Sequence, residues 1–238
     1  MRNKTRHSAR YSEVAKTIEK DALHGVEEAI VAAKKNANAK FVESIDISVR
    51  LGIDSRKSDQ NVRGITTLPH GTGKKAVVWV LAKGDLAKEA EAAGADFVGA
   101  DELITKIQGG EKNFTVVLAT DEMAPQIGKI GKALGAKTPN KRNGTVTNSI
   151  AQAVKELKSG ARVEYRADKG GVVHCSIGRA NFSDDQLQEN FKAALTAIVK
   201  AKPASSKGKY LLSITVTSTM GTGVGVDPSI AQKFAGVA

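Results

Sequence analysis

The residues best suited to acid–base, nucleophilic or metal chemistry are the four histidines, His7, His24, His70 and His174, and the single cysteine, Cys175. None of the histidines stands at a metal-ligand spacing with another or with Asp or Glu in a known pattern. His174 and Cys175 are neighbours, but adjacent side chains on a strand point to opposite faces, so they make no pair of nucleophile and base. His174 reads as a strand residue at or near the surface, with RNA contact as the second reading. Glycine-rich segments offer phosphate chemistry and also fail it. In His70-Gly-Thr-Gly-Lys-Lys no glycine stands five residues before Gly73, and an apolar strand follows it rather than precedes it. Around Met220, the glycines Gly221, Gly223 and Gly225 lie too far along the chain for the helix, strand and acidic ribose ligand that a dinucleotide loop requires. What these glycines do allow is close approach of the backbone to a partner. The chemistry expected is therefore binding, with no catalytic residues, no metal and no cofactor.

A candidate binding surface is a row of hydroxyls. Ser213, Thr215, Thr217 and Thr219 fall on one face of a strand, with Leu212, Ile214, Val216 and Ser218 on the other. Such a row is either an ordinary solvated sheet face or a surface for ribose hydroxyls and phosphates. The charge favours a polyanion: Lys and Arg total 36 against 25 Asp and Glu, net +11, with a pI near 9.7. Residues 71–160 hold 13 Lys/Arg and 10 Asp/Glu, so +3 of the +11 falls there and +8 in the flanks. Aromatics are only 4%, so contact cannot rest mainly on base stacking. One cysteine excludes an internal disulfide framework and fits a reducing, cytosolic compartment. No run approaches the roughly 18 apolar residues of a membrane span, and Met1-Arg-Asn-Lys-Thr-Arg-His reads as a short basic arm rather than a signal peptide.

Holding these residues in place requires a scaffold, and its pattern changes twice along the chain. Apolar residues recur at helical spacing from Tyr11 to about Asn36, with a break near His24-Gly25, giving two short helices. Phe41, Ile45, Ile47, Val49 and Leu51 then alternate with polar residues as a half-buried antiparallel strand. From Ala76 to Ala82 the chain is continuously apolar. Strand and helix alternate from there: helix 84–94, strand 96–98, helix 101–108, strand 114–119, helix 123–134, strand 145–147 and helix 150–157. After Gly160 alternating strands return at 162–166, 172–177 and 210–219, with a long amphipathic helix from Asp184 to Ala201. The economical organisation is an α+β split domain, an antiparallel sheet with helices, formed by residues 1–70 and 161–238, with an α/β domain inserted at 71–160. The polar segment from Leu51 to Gly64, with Arg56, Lys57 and Arg63, is either a donor-rich working loop or a turn stapled by its own Asp and Asn side chains.

Several segments together resemble one family. Ala39-Lys-Phe-Val-Glu-Ser-Ile-Asp, Leu51-Gly-Ile-Asp with Ser58-Asp-Gln-Asn-Val-Arg-Gly, Leu68-Pro-His-Gly-Thr-Gly and Ser218-Thr-Met-Gly are similar to the family of ribosomal protein number one of the large subunit. The likeness covers nearly the whole chain, and the combination is specific where each piece alone is modest. It implies a split domain that grips large-subunit ribosomal RNA, an inserted three-layer Rossmann-like domain, and a mobile stalk near the tRNA exit site that moves as deacylated tRNA leaves. It implies no catalysis. In this family the chief RNA contacts come from a Lys-Phe-x-Glu strand and a Thr-Met-Gly turn, which match Lys40, Phe41, Glu43, Thr219, Met220 and Gly221. Ser213, Thr215, Thr217, Lys169 and His174 join them as neighbouring RNA-binding candidates. Glu43 would accept from a base amino group or a ribose hydroxyl, or orient Lys40.

Further implied partners are the exit-site tRNA and the chain's own mRNA leader, through which members repress their own translation. The protein would be a cytoplasmic monomer off the ribosome and would not engage membranes. One departure stands out. The family usually carries Leu-Gly-Pro-Arg-Gly-Leu-Met-Pro-Asn-Pro-Lys before its Gly-Thr-Val, whereas this chain has the shorter Leu134-Gly-Ala-Lys-Thr-Pro-Asn-Lys-Arg-Asn-Gly-Thr-Val.

Overall fold

The computed structural model describes residues 8–19, 22–111 and 113–236, so the basic arm expected over residues 1–7, His7 included, lies outside the described residues. In chain order the elements are α1 (Ala9–Lys16), β1 (Leu23–His24), α2 (Val26–Lys35), β2 (Ser44–Leu51) and β3 (Arg63–Thr67). There follow β4 (Val78–Leu81), α3 (Asp85–Ala92), β5 (Phe97–Gly99), α4 (Asp101–Gln108), β6 (Val116–Ala119), α5 (Ala124–Leu134) and α6 (Ile150–Lys158). The last are β7 (Arg162–Arg166), β8 (Val172–Arg179), α7 (Asp184–Lys200), β9 (Leu211–Ser218), β10 (Val224–Val226) and α8 (Pro228–Ala235). These elements gather into two compact units, Met1–Thr72 with Val163–Ala238, and Gly73–Arg162.

In the first unit a five-stranded sheet has the order β1-β10-β9-β2-β8. Its alternating strands turn Ile45, Ile47, Val49, Ile214, Val216, Val173, Cys175 and Ile177 into one core. Each Ile or Val fully withdrawn from water there contributes roughly 1.5–3 kcal/mol. The apolar stripes of α2, α7 and α8 close this core, with Ala29, Ile30, Leu187, Phe191, Leu195 and Ala231 all buried. Local signals set the helix starts. Ser183 and Gln186 form a reciprocal capping box on α7, and Asp227 caps α8, whose first residue is proline. A separate two-stranded sheet joins β3 and β7. Gly64 belongs there because a Cβ would stand 2.5 Å from the Tyr165 hydroxyl oxygen.

The second unit has three layers. Its parallel sheet, β5-β4-β6, sends Trp79, Leu81, Val117 and Ala119 into a core with α4 and α5. The intervening Val78, Val80 and Leu118 enter another core with α3 and α6. Strand residues buried on both faces explain the uninterrupted apolar run. Phe97 and Phe114 flank Trp79 at ring-centroid distances of 5.3 and 5.0 Å. Asp96 ties β5 to its neighbours, accepting from the Val78 N–H and from Lys158 Nζ, each at 2.7 Å. Burial pushes its carboxyl pKa up, but those two partners together hold it below the ordinary value.

Several expectations need correction. The five-stranded sheet is mixed, because β1 pairs parallel with β10. The Lys40, Phe41 and Glu43 segment precedes β2 rather than lying in it, since the chain turns back there onto the Glu43 carboxylate. Residues 145–147 make only an isolated bridge, Val146 to Ala119, because Thr145 and Asn140 satisfy each other within their loop. Two elements that sequence pattern did not place, β10 and α8, follow the glycines after Met220. A register shift between Arg50 and Leu51 against β9 leaves Leu212 41% exposed, although alternation places it on the inner face.

Candidate nucleic-acid interface

Antiparallel register builds the polar face of the large sheet row by row. Asp46 stands between Ser176 and Thr217, Ser48 between His174 and Thr215, and Arg50 between Val172 and Ser213. Arg50, His174 and Ser213 are exposed and the others half-buried, the Ser176 hydroxyl fully so, and Ser48 Oγ lies 3.0 Å from His174 Nδ1. The eight residues of β9 extend roughly 25 Å at about 3.3 Å each. Candidates on this face therefore fall into three places. Thr215, Thr217 and His174 lie along the middle, Thr219, Met220 and Gly221 at one end, and Ser213 and Lys169 at the other.

The Met220 end is made of two loops clamped together. Glu43 is 1% exposed, and its carboxylate accepts from the Ala39 N–H at Oε1 and from the Met220 N–H at Oε2, both at 2.8 Å. The Ser44 N–H donates to Thr219 Oγ1 at 3.0 Å, and the Thr219 N–H to the Ser44 carbonyl at 3.1 Å. Gly221 packs tightly, since a Cβ there would meet Ser218 Oγ at 2.2 Å. Held this way, the loops leave Phe41 55% and Met220 47% exposed, with Lys40 also exposed. Apolar tips beside a lysine on a rigid base suit a partner recognised by shape and phosphate. Glu43 itself does not face solvent: it holds the loops, and neither role expected for it, as acceptor from RNA or as guide for Lys40, is what its two oxygens do here.

The opposite end is basic. The Lys169 carbonyl accepts from Ser55 Oγ, Ser206 Oγ donates to the Gly52 carbonyl at 2.9 Å, and the Gly52 N–H donates to the Tyr210 carbonyl at 2.7 Å. These bonds join three loops that expose Arg56, Lys57, Lys169, Lys207 and Lys209. Within the Leu51–Gly64 segment Asp54 Oδ1 accepts from the Arg56 N–H and Gln60 Oε1 from the Asp54 N–H, so a glutamine joins the aspartate where Asp and Asn were expected. Asp168 sits beside Lys169, its carboxyl held below the ordinary value first by the Val172 N–H.

In the second unit, the carboxyl ends of the strands carry Asp85 and Asp101 at two helix starts and Asp121 just after β6. Asp101 and Asp121 stand against Lys83 and Lys141. A nucleotide phosphate arriving there would meet carboxylates already paired with lysines. Among the described residues no group of three or more His, Cys, Asp or Glu could hold a metal ion, and no helix is long and apolar enough to cross a membrane.

Sequence reasoning overlooked Asp46, Ser48 and Arg50, although their alternation was plain. Only the register shows that they share rows with the expected hydroxyls. Residues 33–222 match the model of the Ribosomal protein L1p/L10e family. The mixture of helices and sheets fits that family's α+β fold, and the match spans well over half the sequence. The chain belongs to the Ribosomal protein L1p/L10e family and is therefore a structural protein of the large ribosomal subunit that binds its RNA.

Proposed function

We propose that the chain grips the RNA of the mobile stalk beside the tRNA exit site, helps deacylated tRNA leave, and represses translation of its own mRNA. The first unit is the split RNA-gripping domain and the second an inserted Rossmann-like domain. Lys40, Phe41, Thr219, Met220 and Gly221 contact the stalk RNA directly, and Ser213, Thr215, Thr217, Lys169 and His174 extend the contact along the sheet. Glu43 serves by fixing the two loops. The observation that carries this reading is the clamped loop pair, joined through its backbone N–H groups by Glu43 and exposed at Phe41 and Met220. The basic pole at Arg56, Lys57 and Lys169 supports a second contact of phosphate type, suited to the tRNA. Off the ribosome the protein is a monomer.

The test is affinity for a large-subunit stalk RNA fragment and for a scrambled RNA across a salt series, with Met220→Asp alongside. Selective binding lost in the variant is expected. Equal binding to both RNAs would leave only a basic surface. For the other two roles, deacylated tRNA and the chain's own leader transcript serve as competitors. Competition no better than that of an unrelated RNA ends each idea.

A further inference from the structure

Helix α1 has no evident part in the RNA surface, yet one of its side chains reaches that surface from behind. Arg10 Nη1 donates to Asn38 Oδ1 at 2.8 Å, and Nη2 donates to the Met220 carbonyl at 3.0 Å. Both acceptors belong to the loops that Glu43 joins. The Met220 backbone is therefore held on both sides, its N–H by a carboxylate and its C=O by a guanidinium. The adjoining loop is held likewise, Ala39 by its N–H to Glu43 and Asn38 by its side chain to Arg10. At the far end of α1 the Thr17 hydroxyl donates to the Val14 carbonyl at 2.7 Å and lies 3.4 Å from Asn36 Oδ1, and the Val14 side chain is buried. Eight residues are too few for a stable helix alone in water, so α1 exists by docking here.

We infer that Arg10 is a positioning residue for RNA binding: α1 acts as a strap whose guanidinium, with Glu43, presets the backbone of Met220 for the RNA. The fork of a guanidinium suits the task, because two donors in fixed geometry reach two acceptors on different loops while the charge is never lost. A lysine supplies one compact charge and cannot span both. Presetting the loop removes an ordering cost from binding, so its loss appears as faster dissociation. This inference rests on the reading that the Met220 loop touches RNA.

The experiment uses the full chain and the large-subunit stalk RNA fragment, with Arg10→Met, Arg10→Lys, Asn38→Ala and Met220→Asp. Expected for Arg10→Met is dissociation about tenfold faster, the order of one hydrogen bond to a charged group. The slope of log affinity against log salt stays that of the native chain, because no phosphate contact is removed. Arg10→Lys behaves like Arg10→Met, and Asn38→Ala, which leaves α1 untouched, gives a smaller change of the same kind. A slope shallower by about one, with Arg10→Lys near native, makes Arg10 a phosphate contact and overturns the strap. Native dissociation in Arg10→Met, while Met220→Asp abolishes selective binding, overturns the strap alone. Native binding in Met220→Asp overturns the site reading, and the strap with it.

Discussion

Replacing Glu43 by glutamine tests whether the loops at 39–43 and 218–221 are one rigid contact. The carboxylate is 1% exposed and accepts two backbone N–H groups at 2.8 Å each. An amide keeps one acceptor oxygen and puts a donor where the other stood, facing an N–H. A hydrogen bond to a charged group, about 1.5–3 kcal/mol, is lost, and the buried N–H it served is left unpaired at about 1–3 kcal/mol. Both figures concern the same N–H and overlap, so the local cost is about 3 kcal/mol, roughly a hundredfold in an opening equilibrium. Amide hydrogen exchange reads it directly. Ala39 or Met220 should lose about two decades of protection, while Ile47 in the centre of β2 keeps its own. Affinity for the stalk RNA fragment falls with it, chiefly through faster dissociation. If Glu43 instead accepts from RNA, the free variant keeps its protection and only the complex weakens, and that pattern refutes the clamp.

Other consequences can be measured in the same way. Asn190 is 0% exposed and bonds the His70 N–H and the carbonyls of Gly71 and Ile177, so Asn190→Ala should cost about 2–4 kcal/mol in urea unfolding. The loss should appear in tyrosine near-ultraviolet dichroism, since Tyr11, Tyr165 and Tyr210 lie in the first unit, and not in the fluorescence of Trp79 in the second. Gly221→Ala should weaken RNA binding, because the added Cβ meets Ser218 Oγ at 2.2 Å, and pairing it with Ser218→Ala should restore part of the affinity. Burial pushes the Cys175 thiol from 9.0 to about 12, with Asp46 adding, and the Tyr210 phenol from 10.0 to about 12, with Tyr165 adding. Unfolded, both ionise earlier and bind fewer protons, so stability is intact below pH 9 and falls as pH rises towards 12. Denaturant midpoints at pH 8, 9.5 and 11 check this, with Cys175→Ala reducing the early part of the fall.

What the sequence made legible were the features carried by local periodicity. Ile45, Ile47 and Val49 announce a half-buried strand by alternation alone, and the run from Ala76 to Ala82 announces one buried on both faces. Two residues of β1 carry no period at all, and a parallel neighbour is invisible in them. Val224–Val226 was masked by its glycines, which argue for a loop unless a partner strand is known. At the site, residue types were readable but their duties were not. Glu43 looked like a surface acid because its second partner, Met220, is 177 positions away. Arg10 drew no attention in the sequence because its acceptors lie on loops of other elements. Charge composition favours a polyanion, but it cannot separate a cation that meets phosphate from one that holds a carbonyl.

The place of β2 in its sheet bears on how the chain is made. Its neighbours are β8 and β9, so residues 44–51 emerge long before either strand that pairs with them. Residues 73–162, whose strands pair among themselves, have their own cores and can condense in the meantime. Until then β2 has two open edges and an apolar side, the condition that invites pairing with another chain. Asp46 and Arg50 along it act as charged gatekeepers during that wait. The loops that Glu43 joins also stay apart until Met220 has been added. A chain halted before Leu211 lacks β9 and the second of these loops, so β2 is paired on both edges and the loop pair is clamped only late in synthesis.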